Sequence, residues 1–128
     1  LSADTVVELD GKILGKPHSE AEAAEMLRAL SGRSHRVLTG VTVMGSEGTM
    51  THCEETEVYF RPLTEEEIQW YVGTGEPMDK AGAYGIQGYA AMFIEKIHGD
   101  YYNVMGLPVC RVGLMLRQAG IPLLGAEA

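Results

Sequence analysis

Residues 35–44, HRVLTGVTVM, are the stretch on which the fold depends. β-Branched residues recur at every second position from 37 to 43, which is the period of a half-buried β-strand. A second alternating run follows at residues 51–60, THCEETEVYF, after a turn signal at residues 45–48. Two such runs joined by a short glycine-containing turn predict a long antiparallel hairpin, and Pro62 ends it.

The composition is that of one globular domain. The chain has 128 residues, 45% of them hydrophobic and 22% charged, so we expect a single domain over residues 1–128. Ten Lys and Arg oppose 18 Asp and Glu, a formal charge of −8. This balance argues against a nucleic acid or a membrane surface as partner, because both attract basic proteins. The sequence has no apolar run of about 18 residues and does not open on a signal segment, which favours a cytoplasmic location.

The two cysteines, Cys53 and Cys110, stand far apart and form no CxxC pair. This spacing argues against a zinc site and against a disulfide framework. We expect two buried, reduced thiols.

Further strands are predicted on both sides of the long hairpin. Residues 1–9 and 12–14 flank Asp10-Gly11, a strong signal for a two-residue hairpin turn. Residues 92–97, MFIEKI, predict a buried strand.

Three helices are predicted from their start signals. Ser19 opens a capping box before a helix that runs to about Leu30, and Thr64 opens another before a short helix. Pro108 suits the first turn of a last helix that ends near Gly120. Together with the strands, these helices predict a mixed α/β (α+β) domain.

Asp4 and Lys16 are the first candidates for chemistry. A carboxylate in the apolar strand at residues 1–9 must be paired, hydrated or bound to a cation, so Asp4 could be a base or a metal ligand; an Asp at a strand edge facing water is about equally favoured. Lys16 stands between Gly15 and Pro17 and could hold a phosphate, although an ordinary loop explains the tripeptide as well.

Residues 79–88, DKAGAYGIQG, hold the remaining candidates. Lys80 could meet a phosphate and Asp79 a metal ion. Gln87 offers both a donor and an acceptor, which suits the edge of a nucleobase. The alternative is a solvated loop with a local ion pair.

These pieces together resemble the Maf family (septum formation inhibitor-like proteins) of nucleotide pyrophosphatases. The matching segments keep the family's order. They are SADTVV at residues 2–7, GKILGKP at 11–17, DKAGAYGIQG at 79–88 and YNVMGLP at 102–108, with shorter matches between them. The resemblance implies an elongated, inosine triphosphatase-like mixed sheet flanked by helices. It also implies hydrolysis of a nucleoside triphosphate to the monophosphate and pyrophosphate with a divalent cation, Mg²⁺ or Mn²⁺, in a homodimer.

The resemblance also assigns roles to residues. Asp4 matches the family's catalytic base, which activates water for attack on the α-phosphorus, and it is an expected metal ligand together with Asp79. Thr5 and Gln87 match positions that tune base preference, and Gln87 places the chain nearest to the subgroup acting on dTTP and UTP. Lys16 and Lys80 match lysines that face the phosphates.

The sequence departs from the family pattern at its start. The family's Ser-x-Ser-Pro-Arg-Arg segment, which contributes phosphate and base contacts, does not precede Asp4 here. We therefore expect an N-terminally incomplete domain that lacks one phosphate-binding wall and one strand, with an exposed sheet edge. The alternative function is a non-catalytic regulatory or interaction module linked to septum formation and cell division.

Overall fold

A computed structural model describes residues 1–46 and 48–121. Its framework is a five-stranded sheet with the strand order β2-β1-β3-β4-β5. Every pairing between these strands is antiparallel. The strands are β1 (Ser2–Leu9), β2 (Lys12–Leu14), β3 (Ser34–Gly45), β4 (Gly48–Phe60) and β5 (Ile94–His98).

Four α-helices accompany the sheet: α1 (Glu20–Leu30), α2 (Glu65–Gly73), α3 (Tyr101–Met105) and α4 (Val109–Gln118). Three 3₁₀ helices, Glu76–Asp79, Ala81–Ala83 and Gly88–Phe93, fill the segment between α2 and β5. The predicted mixed α/β class is confirmed. The mixed sheet that the resemblance implied is not seen among the described residues, where the sheet is antiparallel throughout.

The predicted long hairpin is confirmed. β3 and β4 pair continuously from Ser34 opposite Tyr59 to Gly45 opposite Gly48. Glu47, in the predicted turn, lies outside the described residues. The first hairpin is also confirmed, because Asp10 and Gly11 both have positive φ, at 52° and 84°, as a type I′ turn requires.

The helices pack on one face of this sheet, called the inner face below. Side chains alternate along a strand, so Val37 and Val41 of β3 point to the same side. Val37 belongs to a core formed with α1 and α2, and Val41 belongs to a smaller core formed with Val112 and Met115 of α4. The opposite, outer face carries Asp4, Glu8 and their cross-strand neighbours.

The predicted helix starts are confirmed. Ser19 accepts a hydrogen bond from the Glu22 N–H at 3.1 Å, and the Thr64 capping box with Glu67 is complete. These side chains satisfy N–H groups that a helix leaves without partners at its start. α4 begins directly after Pro108, as predicted.

The strand predicted at residues 92–97 begins later and is less buried than expected. Phe93 is fully buried as the last residue of a 3₁₀ helix, and β5 starts at Ile94 as a half-exposed edge strand. The prediction of buried thiols was wrong, since both cysteines are exposed. Cys53 pairs with Gly40 on the outer face, and Cys110 lies in the first turn of α4.

A buried polar layer separates the two cores. Thr39, Thr56 and Asn103 are all fully buried. The Asn103 side-chain amide donates to the Val37 carbonyl at 3.1 Å, to the Glu54 carbonyl at 3.2 Å and to Thr56 Oγ1 at 3.0 Å. Because these acceptors belong to both long strands, Asn103 attaches α3 to the middle of the sheet.

No helix among the described residues is long and apolar enough to cross a membrane.

We expect Asn103→Ala to lower the free energy of unfolding by about 2–4 kcal/mol, because buried acceptors on two strands lose their donor. Urea unfolding followed by circular dichroism measures this change. Gln118→Ala, which removes an exposed amide from α4, is the control and should change the free energy by less than about 0.5 kcal/mol. Equal effects of the two variants would contradict the anchoring role of Asn103.

Candidate active site

A cleft of about 320 Å³ opens on the inner face, between the segment at residues 80–87 and the end of α3. Its size lies at the lower end of the range for small-molecule sites. Its walls are mostly apolar, and three polar side chains converge on it, those of Thr5, Lys80 and Gln87. The remaining lining residues are Val7, Val37, Ala81, Tyr84, Gly85, Ile86, Val104, Met105 and Gly106.

Thr5 lies where β1 meets the end of α3. Its hydroxyl is 2.9 Å from Thr39 Oγ1 on the neighbouring strand, and it donates to the Gly106 carbonyl at 3.4 Å. Gly106 has a φ of 115°, which ends α3 and turns the chain. The side chain of Thr5 is therefore held between the sheet and α3.

Lys80 lines the cleft, and Lys16 lies in a loop that is attached beside it. The Lys80 ammonium donates to Asp79 Oδ1 at 2.9 Å and to the Glu76 carbonyl at 3.1 Å. An ammonium has three N–H groups, so one donor is left for a ligand. The hydrogen bond from Lys80 lowers the pKa of Asp79, and the charges of Lys80 and of Lys16 lower it further. Lys16 is exposed, and its loop is attached here because the Gly82 N–H donates to the Gly15 carbonyl at 3.1 Å.

Asp4 is not among the residues that line the cleft. It pairs with Gly40 in the strand register while Thr5 pairs with Thr39, so the two side chains belong to opposite faces of the sheet. Asp4 is exposed. Within the described residues, β2 pairs only with the last three residues of β1, and Asp4 is paired with β3 alone.

A divalent cation fits Asp4 better than Asp79. The described residues contain no cluster of three or more His, Cys, Asp or Glu side chains able to hold a metal ion. Mg²⁺ is commonly held by one or two carboxylates together with substrate phosphates, and the exposed Asp4 carboxylate suits such a shared site. Asp79 is already paired with Lys80. The positive charges of Lys80 and Lys16 near Asp79 would repel a divalent cation there. A metal-ligand role for Asp79 stays a prediction.

Comparison with known proteins decides the family. The sequence profile described as Maf-like protein matches residues 1–119. The chain belongs to the Maf family.

Three similar Maf relatives carry the name dTTP/UTP pyrophosphatase. The protein from Symbiobacterium thermophilum is 63% identical over 124 residues, which cover 96% of this chain and 63% of the relative. The protein from Bacillus mycoides is 57% identical, with 92% of this chain and 62% of the relative covered. The protein from a Geobacillus species is 56% identical, with 94% and 64% covered. The chain thus spans a little under two thirds of the length of these curated relatives.

The sequence did not indicate two sides of the cleft in this Maf-family chain. Val104 and Met105 come from α3, a five-residue helix with no long apolar period to reveal it. Tyr84 closes another side, and its hydroxyl is 2.5 Å from Nε2 of the buried His35. The only available signal for α3 was Asp100, which caps it by accepting from the Tyr102 N–H at 2.8 Å.

His35 is held neutral behind this wall. Its ring is 3% exposed and makes edge-on contacts with Phe60 and Tyr84. Burial lowers the pKa of His35 from 6.5 to about 4, because the charged imidazolium would lose its hydration.

We expect the free energy of unfolding to fall as the pH is lowered from 6.5 to about 4. In this window the unfolded chain binds a proton at His35 and the folded chain does not, so protonation favours unfolding, by about 3 kcal/mol at the acid end. His35→Gln should remove this part of the pH dependence in chemical denaturation series. Gln118→Ala, at an exposed amide of α4, should leave the pH dependence unchanged. The same slope in His35→Gln and in the unmodified chain would contradict the assignment.

Proposed function

We propose that the chain is the nucleotide-binding part of a nucleoside triphosphate pyrophosphatase that converts dTTP and UTP to their monophosphates and pyrophosphate. The cleft is the observation that carries this proposal. It joins apolar walls, which suit the faces of a base, to a lysine and an amide at its margin. The names of the relatives, dTTP/UTP pyrophosphatase, support the choice of substrates.

In this proposal the two ends of the cleft have different tasks. Gln87 faces the base edge, where an amide can both donate to and accept from a pyrimidine, and Thr5 contributes a hydroxyl beside it. Lys80 faces the phosphates, with Lys16 nearby. Attack on a shielded α-phosphorus needs neutralised charge and a placed nucleophile. The lysines contribute the first of these.

Asp4 is proposed as the base that takes the proton from the attacking water. Its carboxylate is exposed, and the neighbouring residue Thr5 lines the cleft. A divalent cation, Mg²⁺ or Mn²⁺, bound by Asp4 together with phosphate oxygens would neutralise charge on the triphosphate. The homodimer is likewise proposed from the resemblance, and the cytoplasmic location from the nucleotide substrates.

One observation favours a second candidate function. Asp4 and Thr5 belong to opposite faces of the sheet, so the cleft could bind a nucleotide without reaction. The chain would then act as a nucleotide-binding interaction module, in line with a role in division control.

Pyrophosphate release from dTTP, UTP, CTP, GTP and ITP with Mg²⁺ or Mn²⁺ distinguishes the two candidates. We expect release from dTTP and UTP, and we expect Asp4→Asn to reduce it at least a hundredfold, because a general base contributes about 10²–10⁴-fold. Removing the cation with EDTA should also abolish release.

Asp10→Asn is the matched control, since it neutralises an exposed carboxylate at the turn of the first hairpin. It should retain the activity. If dTTP binds but no pyrophosphate is released, the interaction module is supported. Full activity in Asp4→Asn would contradict the proposed role of this carboxylate.

A further inference from the structure

Glu76 lies at the start of the first 3₁₀ helix and reaches across to the loop that carries Gln87. Glu76 Oε1 accepts from the Tyr71 hydroxyl at 2.8 Å. Glu76 Oε2 accepts from the Tyr89 N–H at 3.3 Å, two residues beyond Gln87. The carboxylate thus joins α2 to the rim of the cleft.

The loop is shaped to admit this carboxylate. Gly88 has a φ of 83°, and a Cβ atom on it would lie 2.7 Å from Glu76 Oε2. Any other residue at position 88 would therefore clash with Glu76 as well as strain the backbone. The glycine between Gln87 and Tyr89 leaves the space that the carboxylate occupies.

Glu76 is itself held in place from the other side. Its N–H donates to Thr74 Oγ1 at 3.2 Å, and the Thr74 hydroxyl donates to the Tyr71 carbonyl at 2.6 Å. Tyr71 is fully buried and packs edge-on against Phe93. The position of the carboxylate is thereby fixed by the core.

Glu76 also contacts Lys80, but through its main chain. The Lys80 ammonium donates to the Glu76 carbonyl at 3.1 Å, a bond that does not depend on the Glu76 side chain. The side chain of Glu76 therefore contacts the loop that carries Gln87, whereas Lys80 is bonded by the Glu76 main chain.

We propose that Glu76 is a positioning residue that sets base recognition by holding the Gln87–Gly88–Tyr89 loop against the cleft. This inference rests on the proposed function and assigns the placement of Gln87 to one side chain. Glutamine at position 76 removes the negative charge and replaces one of the two acceptor oxygens by an NH2 group, which cannot accept from the Tyr89 N–H. The hold on the loop should then weaken, while the hydrogen bonds of Lys80 to Asp79 and to the Glu76 carbonyl remain.

The two products of the proposed reaction test this separation, because neither is consumed. In NMR titrations we expect Glu76→Gln to raise the Kd of dTMP about tenfold, the effect of losing one hydrogen bond to a charged group. The Kd of pyrophosphate should change less than twofold. Hydrogen exchange at the Tyr89 amide should be faster in the variant, which reports the freed loop without any ligand.

Three further variants complete the experiment. Gln87→Ala should give the same selective loss of dTMP binding, and Tyr71→Phe, which removes one of the two donors, should give a smaller loss in the same direction. Tyr71→Phe also tests the proposal if Glu76→Gln does not fold. Glu66→Gln, at an exposed glutamate in α2, makes the same charge change and should alter neither Kd.

The outcomes distinguish the two proposals. Equal losses of dTMP and pyrophosphate binding would assign Glu76 to general stability and overturn the positioning role. Unchanged dTMP binding with a protected Tyr89 amide would overturn it as well. If the unmodified chain binds neither product, the proposed function fails, and base recognition by Gln87 and Glu76 fails with it.

Discussion

The register between β3 and β4 is the constraint on which the other elements depend. It places Val37, Thr39 and Val41 on the inner face. Val37 belongs to the core formed with α1 and α2, Thr39 to the buried polar layer with Asn103 of α3, and Val41 to the core formed with α4. A shift of one residue would move all of them to the outer face and expose the core. The helices could then no longer cover a single apolar surface, and the cleft beside the end of α3 would not form.

The cleft is connected through Thr5 to a buried polar layer of the inner face. Apolar cores occupy both ends of the sheet, and Thr39, Thr56 and Asn103 lie buried between them. A buried polar group is tolerated when it is hydrogen-bonded, and the NH2 group of Asn103 meets this condition while it attaches α3. The end of α3 then meets Thr5, so the same hydrogen bonds that stabilise the middle of the sheet also shape a wall of the cleft.

Most of the fold was readable from local patterns. Alternation located β3 and β4, the Asp10-Gly11 pair located the first turn, and Thr64 with Glu67 located the start of α2. Each of these signals depends on residues only a few positions apart, so it can be recognised from the sequence alone. The short α3 and the 3₁₀ helices before β5 were not predicted. They have little periodicity of their own and are stabilised by distant contacts, such as the buried ring of Phe93.

From the sequence alone come the family resemblance, the long hairpin and the residue types of the candidate site, because each of these is a pattern along the chain. Which of those residues meet depends on tertiary packing. It brings Thr5, Lys80 and Gln87 to one cleft, because loops distant in sequence pack on one face of the sheet. It places Asp4 on the other face, because side chains alternate along β1. It also reveals Glu76, whose two hydrogen bonds to Tyr71 and Tyr89 depend on how α2 and the Gln87 loop pack together.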